Sequence, residues 1–541
     1  MASIKFSDFT NEATAGTTQV VGYKTGTTVN TRYSLAQLAT GISAHLPASS
    51  VLVNKTLYVD TANGDDAEAV VGDMSKPYAT ITAAKTAASV GDIIHVRPGT
   101  YEEDDITKDG VAMYFDFGAI VHPTDAIQTA SGKAIIDVSA YANKLIILGY
   151  GEFISDYSGI NATACINAAT DEAYIEFYRC TFTNGGGAGA VKATVWLSQT
   201  GTNEQLIECK GDIYKTNTTG GNSWSALGVL IGNIQFDGNI YNISTGASGV
   251  GLNVDSDSAD FKGTGNIYVS ADAATCYGIY TNNRGSLTWL GNVEIGTHAN
   301  GYAFHTASSY TGNSSIHGAI KGSIYLGFNA IAQGSFISGT QYCTGSPNGF
   351  AIVQGSSSES IINLNVNSSI PMFQVTSGLL LFQGLAQQNG SFQKFLDCTG
   401  GKFVFNGVVA DYNKRMASST ITGGEVVIES DFESWGSTYP DNSYVFKVDG
   451  GTLRVDACKI ENHQNTNGSG VIEYVSGNLI LNAATLVSES VDVTTFSIKV
   501  VSALNYLGYN DSFANMAVGG GGSLTNLITG GGAIVVDTDV E

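Results

Sequence analysis

Gln383, Asn406, Glu429, Asp456 and Asn482 each stand five residues after a recurring glycine, at Gly378, Gly401, Gly424, Gly451 and Gly477. If successive repeats stack in register, the backbones of Glu429 and Asp456 lie one strand spacing apart, ~4.8 Å. Paired carboxylates at that range are the equipment of a glycosidase, with ~5 to 5.5 Å between carboxyls for retention and ~6.5 to 9.5 Å for inversion. The same position suits a plainer task, because Asn, Asp or Gln at a strand end satisfies backbone donors in the turn. Asp411, Asp431 and Glu433 follow in the same repeats, beside Lys414 and Arg415, and read either as one charged groove or as a solvated face. Trp435 and Tyr439, in SWGSTYPDNSY, offer flat aromatic faces with Asp and Asn nearby, a combination that suits sugar binding. Trp196, Trp224 and Trp289 raise the same alternatives of binding face and internal stack.

Other reactive types form no recognisable constellation. Asp60, Asp65 and Asp66 in DTANGDD lack the spaced D-x-D-x-D-G loop of a calcium site and read as a turn cluster. The 7 histidines show no HExxH or paired spacing, and no G-x-S-x-G elbow occurs. His95, in IIHVRPG, alternates with apolar neighbours as a strand residue does. The 7 cysteines, Cys165, Cys180, Cys209, Cys276, Cys343, Cys398 and Cys458, are odd in number and without CxxC spacing, so they read as small buried thiols. No metal and no cofactor is expected.

The frame that carries these residues is periodic. The runs GLLLFQ, GKFVFN, GEVVIE, GTLRVD and GNLILN begin at the five glycines, in steps of 23, 23, 27 and 26 residues. An earlier series, GDIY, GNIY, GNIY, GNVE and GAIK, begins at Gly211, Gly238, Gly265, Gly291 and Gly318. Apolar residues at the second and fourth places after each later glycine give a period-2 strand with one inward face. A unit of ~25 residues cannot bury that face alone, so neighbouring units must stack on a shared core. This pattern predicts an all-β parallel solenoid. A propeller blade needs ~40 to 50 residues, so the period excludes it.

Composition agrees. Gly accounts for 66 of 541 residues and Pro for 7, so turns are left to residues that tolerate positive φ without removing ladder donors. The formal net charge of −23 argues against nucleic acid or an anionic membrane as partner, since both need a basic surface. The start, MASIKFSDFT, has no basic stretch followed by an apolar run, so no export signal is expected. No run approaches the ~18 apolar residues of a membrane span.

Residues 1–50 differ from the rest. Strands are expected at Gln19–Tyr23 and Thr31–Tyr33, and a helix from Ser34. The pattern KFSDFT…AGTTQVVGYKTGTTVNTRYSLAQL resembles the attachment segment that opens many bacteriophage tail fibre and tailspike proteins. From Leu57, LYVDTANGDDAEAVVGDMSKPYATITAAKTAASVGDIIHVRPGTYEE is similar to the opening of right-handed parallel β-helix proteins of the pectate-lyase-like class. In that class an amphipathic cap helix precedes the first coil. Here Ala79–Ala88 fits, with Ile81, Ala84 and Ala88 on one face and Gly91 available to end it.

The expected organisation is therefore a virion-attachment segment over 1–50, a cap helix and first coil over 51–100, a β-helix body over 101–510 and a glycine-rich segment over 511–541. The resemblance implies a virion protein made in the host cytoplasm, homotrimeric, held to a tail, baseplate or adaptor protein through residues 1–50, and adhering to a host cell-surface polysaccharide. The alternative it implies is a polysaccharide depolymerase, hydrolase or lyase, with Glu429 and Asp456 catalytic and Asp411, Asp431, Trp435 and Tyr439 on the ligand.

Overall fold

Leu380 and Phe382, Phe403 and Phe405, Val426 and Ile428, Leu453 and Val455, and Leu479 and Leu481 are all 0 % exposed in the computed structural model of the chain. Their strands pair in parallel with each apolar residue opposite its counterpart one repeat on, so the glycine frame is the coil of a parallel β-solenoid. The structure describes residues 55–131, 133–139 and 141–156, and the strand-bearing stretches of each coil between 164 and 509. It also describes strands at 19–23, 30–34, 512–513, 516–518, 524–526 and 535–536.

One ladder runs unbroken from Thr56–Val59 through Ile93–Val96, Ala112–Phe115 and Leu145–Gly149 into Ala173–Phe182. It continues, coil by coil, to Leu504–Tyr509. It does not stop at residue 510, because Leu524–Asn526 adds a further parallel rung. A second ladder passes through Ile166–Ala169, Ala193–Ser198, Ser225–Val229, Ser248–Val254 and Thr275–Thr281 to Gly301–Thr306 and Ser323–Leu326. The apolar faces of the coils meet in one continuous core cluster.

The earlier glycine series marks a second, polar stack. Asp212 Oδ1 accepts from the backbone and side-chain amides of Asn239, at 2.9 and 3.0 Å. Asn239 Oδ1 does the same for Asn266, Asn266 Oδ1 accepts from Asn292 Nδ2, and Asn292 Oδ1 ends the run on the Ala319 N–H. Each amide thus donates to one coil and accepts from the next, which is why Asn follows glycine at three successive corners.

The rod is capped at its first coil by the helix Ile81–Ala87, with Ile81 and Ala84 buried against Leu57, Val59, Ile94 and Val96. Thr80 is the N-cap, its Oγ1 accepting from Ala83 N. Glu103 accepts from Ile81 N and Thr82 N, and Asp66 from Ala79 N and Thr80 N, so two carboxylates occupy the N–H groups a helix start leaves open. The helix ends before the predicted Gly91: Ala88 is already extended, and its N–H closes on Ala84 O. A second helix, Asp125–Ser131, interrupts the coils where the sequence pattern predicts only β-structure. Gln19–Tyr23 and Asn30–Ser34 pair antiparallel as an independent hairpin, matching the strands expected there. The helix expected from Ser34 lies outside the described residues.

Six cysteines, Cys165, Cys180, Cys209, Cys276, Cys398 and Cys458, are buried and unbridged. Burial pushes the Cys398 and Cys458 thiols up to about 12, as expected of packing residues rather than nucleophiles. Among the described residues no helix is long and apolar enough to cross a membrane.

Candidate functional site

The register brings Glu429 and Asp456 onto adjacent coils, as their spacing predicts: Ile428 is opposite Val455, and each carboxylate follows its partner in that pair. Both are held by neighbours. Asn406 Nδ2 donates to Glu429 Oε2 at 3.4 Å, and Asn482 Nδ2 donates to Asp456 Oδ1 at 2.7 Å. Arg454 Nε lies 2.7 Å from Asp456 Oδ2, and that contact raises the guanidinium pKa further. After Asp456 and Asn482 the chain turns through Ala457 and Ala483, both with φ +51°, and Ala457 N donates to Asn482 O. Asp456 therefore sits at a strand end, ion-paired and amide-bonded. Glu429 is exposed beside it.

Asp431 accepts from Lys459 N at 2.7 Å, a strand-to-strand tie. Trp435 belongs to the strand Phe432–Gly436, which pairs with Lys459–Gln464 and puts Trp435 in register with His463. Asp411, Tyr439, Lys414, Arg415 and Trp224 lie outside the described residues. Asp60 accepts from Ala62 N, Asn63 N and the Arg97 guanidinium. Burial opposes its charge, but the Asn63 and Arg97 hydrogen bonds outweigh it and hold its carboxyl below the usual range. The DTANGDD carboxylates thus tie turns and the cap helix.

Sequence reasoning missed a concentrated aromatic surface among the described residues. One outward column of the second ladder reads Asn167, Trp196, Gly228, Asn253, Tyr280, His305 and Tyr325, one residue per coil. It points out because its strand neighbours on both sides are buried: Leu252 and Val254, Ile279 and Thr281, Phe304 and Thr306. Tyr280 stacks on His305 with centroids 5.3 Å apart, and His305 on Tyr325 at 4.6 Å, the ring planes within 18° and 13°. Tyr277 and Tyr302 form a parallel stack beside them at 5.7 Å, edge-on to His305. Towards the N-terminal end, Gly228 leaves room for the Trp196 ring, since a Cβ there would come within 2.4 Å of Cε3.

Four partly exposed rings, Tyr277, Tyr280, His305 and Tyr325, therefore make a wall backed by the buried Tyr302 and flanked by an indole and by the Asn253 amide. Asn253 Oδ1 and His305 Nδ1 are buried without a hydrogen-bond partner among the described residues. Burial lifts the Tyr277, Tyr280 and Tyr325 phenols, and Tyr302 to about 12, so all are protonated donors at neutral pH. Chemically, the wall combines apolar ring faces and edges with phenol hydroxyls, with no charge at pH 7.

Burial also lowers His305, to about 4. A histidine at ~6.5 in the unfolded chain and about 4 in the fold binds fewer protons when folded. Its contribution is complete above ~6.5 and is lost as pH falls towards 4. At ~1.4 kcal/mol per unit, discounted for residual exposure, the loss is on the order of 2 kcal/mol. His305→Phe, which keeps a ring between Tyr280 and Tyr325, is expected to remove that part of the acid sensitivity. The difference between the two proteins' denaturation midpoints at pH 7 and pH 4.5 measures it, and identical pH profiles would mean that His305 is not held neutral.

The molecule is thus a long parallel β-solenoid with a helix-capped first coil and an uncharged aromatic wall on one outer face. Comparison with protein-family models, with curated proteins and with solved structures gives no match for this chain.

Proposed function

We propose that this chain is a bacteriophage tail fibre or tailspike that adheres to a host cell-surface polysaccharide. The observation that carries the adhesive role is the uncharged wall of Tyr277, Tyr280, His305 and Tyr325, backed by Tyr302 and bordered by Asn253 and Trp196. Ring faces and edges pack against the C–H surfaces of sugars, while phenol hydroxyls meet their hydroxyls. A net charge of −23 would repel nucleic acid and leaves neutral glycan chemistry in place. The virion role rests on the resemblance of residues 1–50 to a tail-attachment segment, which would dock a tail, baseplate or adaptor protein. A homotrimer, with a solution mass three times that of one chain, would let three weak glycan contacts act together.

The test is to incubate the intact chain with capsular polysaccharide or lipopolysaccharide from candidate hosts and follow binding together with release of reducing ends. Binding without release is expected on a recognised host. Tyr280→Ala and Tyr325→Ala should weaken it by about tenfold each, equivalent to ~1.4 kcal/mol. Glu429→Gln and Asp456→Asn should leave it unchanged. Release of oligosaccharide that disappears in those two carboxamide variants would instead make the protein a depolymerase. Wall variants that bind as well as the parent would remove the wall as the adhesive site.

A further inference from the structure

The strands Phe432–Gly436, Lys459–Gln464 and Thr485–Ser488 form a separate parallel face in the C-terminal coils. Phe432, Ser434, Ile460, Asn462 and Leu486 point into the rod, at 0 or 1 % exposed. Period-2 alternation then sends Glu433, Glu461 and His463 to the other side. Glu461 and His463 are two apart on one strand, and Glu433 is directly opposite Glu461 on the next. One ligand atom from each side chain falls within 4.8 Å of the other two. The side chains of Glu461 and His463 are only 11 and 10 % exposed, although they project outward.

We propose that Glu433, Glu461 and His463 form a binding site for a divalent transition-metal cation of the zinc class. Two oxygens and one imidazole nitrogen suit zinc and its neighbours, whereas calcium and magnesium take oxygen ligands throughout. Three protein ligands leave the fourth tetrahedral position to water or to an incoming group. With bonds of ~2.0 to 2.2 Å the ligand atoms must approach to roughly 3.5 Å, a closure the exposed Glu433 side chain can supply. Within the cluster, His463 Nε2 lies 3.8 Å from Glu461 Oε2. The Lys459 ammonium pairs with the other oxygen, Glu461 Oε1, and is the cation's competitor for this carboxylate. The inference is independent of the adhesive wall, which lies on other coils.

The test uses the intact chain, stripped with chelator and titrated with zinc by calorimetry. One saturable equivalent per chain is expected. Glu433→Gln and His463→Gln should each weaken binding at least tenfold with unchanged circular dichroism, and Lys459→Met should bind as tightly as the parent or more so. Cobalt substitution of the parent should give the visible absorption of a tetrahedral nitrogen and oxygen site, a readout that needs no variant to fold. Absence of zinc binding, or equal binding by the His463→Gln chain, would overturn the site.

Discussion

Gly291→Ala is expected to break the rod between coils, whereas Gly72→Ala is expected to leave it standing. Both glycines have φ in the left-handed half of the map, +146° and +85°. They differ in what a methyl group would meet. A Cβ on Gly291 would fall 1.8 Å from Gly265 O, a backbone atom of the preceding coil, while nothing lies within 4 Å of one on Gly72. Gly238, Gly265 and Gly318 repeat the contact at 2.1, 2.0 and 2.2 Å. This corner is therefore a stack of glycines through which the coils approach, and the Gly291 N–H is already committed to His317 O at 2.8 Å. Relief requires the Gly265 and Gly291 coils to part, at the expense of the bonds that tie them, Gly265 N to Leu290 O at 3.1 Å and Ile267 N to Asn292 O at 2.8 Å. Backbone strain of about 1 to 3 kcal/mol, added to the greater cost of parting the coils, gives a loss of roughly 4 kcal/mol or more. At Gly72 only the conformational penalty remains, about 1 kcal/mol. Because a solenoid is stabilised mainly between nearest neighbours, the damage should be local. Chemical denaturation with limited proteolysis checks this. New cleavage close to residue 291 is expected in the first variant, and an unaltered midpoint there would refute the packing argument.

The coil was legible in the sequence because its strongest requirement is also its most repetitive. A Cβ would clash at the glycine corner, apolar residues fill the two inward places, and both constraints recur from coil to coil between Gly378 and Leu481, which display them without any knowledge of pairing. The Asn239, Asn266 and Asn292 ladder was visible in the same way, as GN at successive corners, although its meaning needs the bonds. The helix Asp125–Ser131 occurs once and so has no period to reveal it. Sites were harder to read for a related reason. His463 and Glu433 are thirty residues apart in the chain, and only the register of two strands makes them neighbours. The aromatic wall did leave a trace, since Tyr277 and Tyr302, and Tyr280 and His305, share one 25-residue offset. That offset does not coincide with the glycine frame, and a ring on a strand reads alike whether it faces in or out. Glu429 and Asp456 show the opposite case. Their adjacency followed from spacing alone, but the Arg454 and Asn482 contacts that occupy Asp456 did not.

Trp289 carries the second large effect. Grouped by sequence with the other tryptophans as a candidate for either binding or internal stacking, it is 0 % exposed and stands in the alternation Leu287, Trp289 on the inward face of Ser286–Leu290. Its indole is parallel to Phe261 and Phe236, within 7° and 18°, at centroid distances of 6.4 and 6.5 Å. It lies over Gly263, where a Cβ would come within 2.3 Å of Cζ3. A ring spread across two coils is a tie between them, and truncation leaves a cavity the rigid β-ladders cannot close. Trp289→Ala is therefore expected to cost about 3 to 5 kcal/mol. Trp289→Phe should behave differently. The indole Nε1 is buried without a hydrogen-bond partner among the described residues, a deficit worth ~1 to 3 kcal/mol that phenylalanine removes along with part of the apolar area. Losing the unpaired donor and losing apolar area act in opposite directions, so the phenylalanine variant should fall within about 1 kcal/mol of the parent. Denaturant midpoints of the three proteins separate these effects. Equal losses in both variants would mean that the indole N–H does have a partner, and no loss in either would mean that the stack does not hold the coils together.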